Sequence, residues 1–133
     1  MPNAPLLETI NPASNTIPGI SHAVVVKGGQ LIFLSGHVPL TDTGQIAGPG
    51  LEEQVRTVFA NIQSTLEAAQ SSMENLVRIT IYVRDFREED LPIIRRVRDQ
   101  FVNLDRPPAS ALIGVASLFH PEVRVEIDAI AVS

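Results

Sequence analysis

The sequence predicts an α+β domain, a mixed and mostly antiparallel sheet with two helices packed on one of its faces. Three observations lead there. At 133 residues the chain has the length of one ordinary domain and reads as one, residues 1–133. Apolar residues recur at helical spacing in two stretches. Around those stretches lie short runs that either alternate or are rich in β-branched residues. Two helices are too few to cover both faces of such a sheet, so they share one face and leave the other for water or another subunit.

Residues 6–10 are a candidate short strand, and residues 11–21, rich in turn formers, read as an ordered loop. β-branched runs at 22–27 and 30–35 flank Gly28-Gly29, a hairpin signal, because glycine supplies the positive φ of a tight turn. Residues 39–50 hold Pro39, Gly44, Gly48, Pro49 and Gly50 and form a loop. Over 51–70, Leu51, Val55, Val58, Phe59, Ile62, Leu66 and Ala69 make the apolar stripe of a long helix. Residues 77–84 alternate, with Ile79, Ile81 and Val83 on one side and Arg78, Thr80, Tyr82 and Arg84 on the other, as in a half-buried strand. A second helix spans 90–102, with Asp90 as its cap and Pro92 in the first turn, where a missing N–H is no loss. Pro107 and Pro108 separate it from strands at 109–115 and 122–132.

The last strand places Val123, Val125, Ile127, Ala129 and Ala131 on one face and Arg124, Glu126, Asp128, Ile130 and Val132 on the other. The second face is polar at one end and apolar at the other. A solvent face rarely carries residues like Ile130 and Val132, whereas a subunit interface with a polar pocket at one end does. An acid within an apolar strand costs free energy unless something satisfies or uses it. Glu126, Asp128 and the nearby Ser110 are therefore the first places to look for function.

Composition excludes several classes. Without cysteine there is no disulfide, thiolate metal site or thiol nucleophile. His22, His37 and His120 do not have the spacing of a zinc site, so no metal is expected. A net charge of −5 argues against nucleic acid as a partner. The cluster Arg95, Arg96 and Arg98 is read as a solvated helix face. No signal peptide and no membrane-length apolar run are visible, which gives the expectation of a cytoplasmic protein with no membrane partner.

An ordered series of short pieces then identifies a resemblance. It comprises Asn11-Pro12-Ala13, Ser21-His22-Ala23-Val24, Leu34-Ser35-Gly36 with Pro39, Gly44, Gln54, Asn61 and Leu66-Glu67-Ala68-Ala69. It continues with Thr80-Ile81-Tyr82-Val83, Asp85, Pro108-Ala109, Val115 and the run from Val125 to Val132. Nearly the whole chain thus resembles the RidA/YjgF family, the endoribonuclease L-PSP-like proteins. The resemblance implies a chorismate-mutase-like fold and a homotrimer whose sheets line a central barrel, with clefts between subunits. It also implies cofactor-free hydrolysis of reactive enamines and imines to ketoacids and ammonia, so the expected partner is a small imine, enamine or carbonyl metabolite.

Carried over by position, Glu126 matches the acid that places water in typical members, and Ser35-Gly36 match as well. Where those members begin the strand after Pro-Ala with a carboxylate-gripping arginine, this chain has Ser110. Loss of that grip removes about 3 kcal/mol of binding, roughly a hundredfold. Leu112 stands where a backbone N–H helps hold the ligand, and the asparagine usual on the second helix falls at Ile94. The tyrosine of the N-terminal loop has no direct match; His22 or Ile20 sits near it.

Each candidate has a plainer reading. Glu126 either polarises water or pairs with Arg124 or an arginine on a neighbouring strand. Asp128 reads as a hydrogen-bond acceptor for its neighbours. Ser110 either contacts a ligand or merely fills space, and no Gly-x-Ser-x-Gly elbow marks it as a nucleophile. His22 either carries a proton or contacts ligand, or is bonded to backbone. Arg106 either swings toward the cleft or stays in an exposed turn. Two functions remain open, a deaminase and a respecialised ligand-binding trimer. The acidic balance and the lack of a histidine acid–base pair argue against a third, ribonuclease.

Overall fold

The computed structural model describes residues 6–12 and 17–133. The elements run in order β1 (Leu7–Ile10), β2 (Ala23–Val26), β3 (Leu31–His37), α1 (Leu51–Ala68), β4 (Leu76–Arg84), α2 (Asp90–Arg98), β5 (Ala109–Val115) and β6 (Val125–Val132). Positions 13–16 of the expected loop at 11–21 lie outside the described residues.

Four strands form one sheet in the order β3-β6-β4-β5. β6 runs antiparallel to both of its neighbours, while β4 and β5 are parallel. The parallel pair follows from connectivity: the chain leaves β4, crosses back through α2 and re-enters the sheet at the end where β4 began. α1 and α2 share one hydrophobic core with a single face of this sheet. Val55, Val58, Phe59, Ile62 and Leu66 of α1 and Ile94 and Val97 of α2 meet Ile79, Ile81, Val83, Val125, Ile127 and Ala129. Each such large side chain contributes about 1.5–3 kcal/mol on burial. Phe59 also stacks on Phe101, with ring centroids 5.3 Å apart.

Among the described residues no helix packs on the opposite face, and its β3 edge is open to solvent. Phe33 is 72% exposed and Leu31 53%. Cross-strand pairing sets Phe33 beside Ile130, Thr80 beside Asp128, and Tyr82 beside Glu126. The polar-to-apolar gradient expected along the last strand is therefore continued by its neighbours.

Four expectations are corrected. The runs around Gly28-Gly29 do not form a hairpin with each other. β2 pairs with β1, and β3 pairs with β6. Gly29, at φ 84°, still turns the chain, but the turn hands it to the C-terminus, where Gln30 and Ser133 exchange backbone hydrogen bonds. Asp90 is not the helix cap: Glu89 occupies that position, and the Asp90 carboxylate instead accepts the Arg87 N–H at 2.9 Å. α2 stops at Arg98 rather than 102, because the N–H groups of Gln100 and Phe101 bond three residues back and tighten the chain. The arginine cluster is not one solvated face, since Arg98 is buried.

One buried polar side chain joins the layers. Gln54 on α1 donates to the carbonyls of Ala47 and Glu122, at 2.9 and 2.8 Å, and accepts the Arg124 N–H at 2.7 Å. It ties the 39–50 loop and the entry to β6 onto the helix, with both amide N–H groups and the amide oxygen engaged.

Candidate functional site

The alternation of β6 turns Glu126 to the bare face, and the neighbouring β3 makes room for it. The pairing of β3 with β6 slips between Leu34 and His37, a bulge at Ser35-Gly36. A Cβ added at Gly36 would fall on the Glu126 carboxylate, so the side chain of Glu126 occupies the space that glycine leaves. His37 buttresses the bulge. Its Nδ1 lies 2.7 Å from the Ser35 carbonyl oxygen and its Nε2 2.7 Å from the Thr65 hydroxyl. The carbonyl can only accept, which places the neutral ring's proton on Nδ1 and lets Thr65 donate to Nε2.

Glu126 itself makes no ion pair or side-chain hydrogen bond to any described residue. Arg124, its plainest partner, lies 3.9 Å from Asp90 instead. Asp128 accepts a long hydrogen bond, 3.4 Å, from the Tyr82 hydroxyl, in keeping with its structural reading. Arg106 is half-buried and pairs with Glu74 at 3.9 Å.

Ser110 and Leu112 lie elsewhere. In the parallel register Ser110 pairs with Ile79 and Leu112 with Ile81, both buried beneath the helices, so the two residues face α2. A cavity of about 260 Å³ opens there. Its walls are the apolar side chains of Ile17, Ile20, Ile81, Leu91, Ile94 and Leu112. Ser110, Arg95 and Arg98 add the polar lining.

The loop forming one wall is fastened at both ends. Ser21 is buried, donates its hydroxyl to the Pro107 carbonyl at 2.5 Å, and its N–H to the Pro108 carbonyl at 3.0 Å. Arg98 reaches across to donate to the Pro18 carbonyl at 3.0 Å while its guanidinium is balanced by Asp99 at 2.8 Å. Gly19, at φ 85°, lets the loop pass against that guanidinium, which a side chain would strike.

The expected residues thus fall into two groups on opposite faces of the sheet. Glu126, Ser35 and Gly36 make an acidic station on the bare face; Ser110, Leu112 and Ile94 belong to the apolar cavity. His22 joins neither: it is exposed, donates its N–H to Asn11 Oδ1 at 2.9 Å, and holds its ring 3.3 Å from the same atom. Of the two residues near the missing tyrosine, Ile20 is the one that lines the cavity. Sequence reasoning missed Ile17, Leu91, Arg95 and Arg98. Positions 91, 94, 95 and 98 share one helix face by their spacing, and that was the available signal. Among the described residues no three His, Cys, Asp or Glu side chains converge as a metal site, and no helix is long and apolar enough to cross a membrane.

Residues 13–133 match the family model described as endoribonuclease L-PSP. The chain belongs to this family, the RidA/YjgF proteins. Its similarity to individual members is moderate and nearly end to end. It is 35% identical over 113 residues to a RutC family protein of Aquifex aeolicus, covering 83% of this chain and 86% of that one. It is 29% identical over 113 residues, 84% of each chain, to a Dermatophagoides farinae protein named 2-iminobutanoate/2-iminopropanoate deaminase. The crystal structure of YyfB from Yersinia pestis, of the Rid protein family, superposes with a TM-score of 0.86 at 28% identity, covering 96% of this chain and 99% of the other. The RidA-like fold is therefore the fold of this chain.

Proposed function

We propose that this RidA/YjgF-family protein hydrolyses a small enamine or imine to a carbonyl compound and ammonia, without a cofactor, in clefts between the subunits of a homotrimer. The observation that carries the reading is the Glu126 carboxylate, seated over Gly36 with no partner among the described residues. An acid left uncommitted at a bulge, beside the exposed residues Ser35 and Gly36, is suited to hold water. In the reaction Glu126 takes a proton from that water as its oxygen attacks the carbon of the protonated imine, whose nitrogen gains the electron pair of the C=N bond. The carbon becomes tetrahedral, bearing hydroxyl and amine. Glu126 returns the proton to nitrogen, the C–N bond breaks, ammonia departs and the hydroxyl proton is released as the carbonyl forms. The relative from Dermatophagoides farinae, named for a reaction on imino acids, supports this class of chemistry.

The cleft is proposed to form when one subunit's cavity, with Ser110, Leu112 and Ile94, meets the acidic station of the next. Within one chain the sheet stands between the two groups. The bare Phe33 and Leu31 supply the apolar contact such an assembly needs. The backbone N–H of Leu112 is assigned to the ligand's polar end, and His22 to the rim of the cleft.

A second reading, a respecialised ligand-binding trimer without general imine deaminase activity, is favoured by Ser110 alone. Its hydroxyl cannot grip a carboxylate as a guanidinium does. The deciding experiment generates 2-imino acids in situ and follows ammonia and ketoacid release. Turnover by wild type that Glu126→Ala lowers at least a hundredfold sustains the deaminase. An inactive wild type beside an active Ser110→Arg variant establishes the second reading.

A further inference from the structure

We infer that Arg95 is the carboxylate grip of this protein, acting from α2 in place of an arginine on β5, and that the ligand it holds carries a branched or aromatic apolar body. The inference rests on the proposed reading of the cavity as the ligand site. α2 carries three arginines within four positions, and their fates differ. Arg96 is bonded to Glu52 on α1. Arg98 is buried and committed to Asp99 and the Pro18 carbonyl. Arg95 lines the cavity, is exposed, and has no ion pair or side-chain hydrogen bond to any described residue. No carboxylate lines the cavity to neutralise it.

Helix geometry places Arg95 there for a reason. Leu91, Ile94, Arg95 and Arg98 fall at i, i+3, i+4 and i+7 and present one face to the cavity. Ile94 makes a buried part of the wall, and Arg95, the next residue, stands at its exposed edge. Ser110 and Arg95 line the same space, so a ligand carboxylate placed near Ser110 can be met by a guanidinium from the helix rather than from the strand. Arginine offers a planar pair of donors to such a group.

The size and lining of the cavity specify the rest of the ligand. An apolar cavity of 150 Å³ is enough to bind benzene. At about 260 Å³ within one subunit alone, walled by isoleucine and leucine, this half of the cleft has room beyond a two-carbon side chain and suits a branched aliphatic or phenyl group with a polar head.

Calorimetric binding of stable oxo compounds tests this without turnover. The probes are 4-methyl-2-oxopentanoate, 2-oxobutanoate and the neutral ketone 4-methyl-2-pentanone, each with wild type, Arg95→Gln and Arg95→Lys. Wild type is expected to bind the branched acid about tenfold more tightly than 2-oxobutanoate, from the extra buried methylenes. Arg95→Gln is expected to weaken the branched acid ten- to a hundredfold and leave the neutral ketone unchanged, with Arg95→Lys intermediate. Unchanged acid binding by Arg95→Gln overturns the inference. So does an equal loss for the neutral ketone, a preference for 2-oxobutanoate, or no acid binding at millimolar concentration. Arg95 is exposed, and an unchanged melting curve verifies that each variant is folded. The expected binding pattern without ammonia release sinks the deaminase reading and leaves Arg95 standing; turnover with Arg95-independent binding does the reverse.

Discussion

The two faces of the four-stranded sheet carry the same strands but are completed differently. On one face every large apolar side chain of β4 and β6 finds a helix, and Gln54 closes the seam with three hydrogen bonds. On the other, Phe33 lies 72% exposed and Glu126 has no partner among the described residues. The first face is what the chain needs in order to fold. The second makes physical sense when another molecule covers it, and Glu126, the acid proposed to place water, sits there, where a cleft and not a core would form.

The largest effect is expected from breaking the bare face. Phe33→Asp puts a charge where the proposed assembly buries an aromatic ring, so sedimentation should show a complete shift to monomer with folding retained. A variant that still assembles would mean that this face has some other use. Breaking the closed face has the opposite signature. Phe59→Ala removes a fully buried ring and its stack on Phe101, and should lower unfolding free energy by about 4 kcal/mol in denaturant titration.

Gln54→Leu sharpens the comparison further. It leaves two carbonyls and one N–H without their side-chain partner and should cost about 2 kcal/mol, with no change in the association of the folded protein. The smallest change is expected at the outer surface of the helices. Arg96, by hydrogen bond and charge, holds the Glu52 carboxyl below the ordinary glutamate range, with Arg56 assisting. A folded-state pKa below the unfolded value stabilises above the unfolded value and loses that effect as pH falls through the folded one. Wild type should therefore melt slightly higher than Glu52→Gln at neutral pH, and the two should converge as pH falls through the lowered Glu52 pKa. The pair is exposed, so the shift is small.

Much of the fold was legible because burial has a period. The helical stripe from Leu51 to Leu66 and the alternation of 77–84 name their own partners by exclusion, and β5 begins and ends where its sequence says. The hairpin failed for an equally physical reason. Gly28-Gly29 announces a turn, but a turn does not say which strand comes next, and β3 pairs with residues a hundred positions away. At the site, Glu126 and Ser110 were found by resemblance and by polarity within apolar runs. That they face opposite ways depends on the register of β4 against β5, which neither strand encodes alone. Arg98 was misjudged because its burial comes from a carbonyl at Pro18, eighty residues earlier in the chain.

The placement of the acidic station and the cavity on opposite faces has a consequence for mixtures. If each cleft takes one half from each of two neighbours, a subunit without its acid and a subunit without its grip are each inactive alone yet complement one another. In randomly mixed rings of equal parts, about one cleft in four joins two intact halves. Two dead proteins, unfolded and refolded together, should regain about a quarter of the activity per site, whereas a site contained within one chain would regain none.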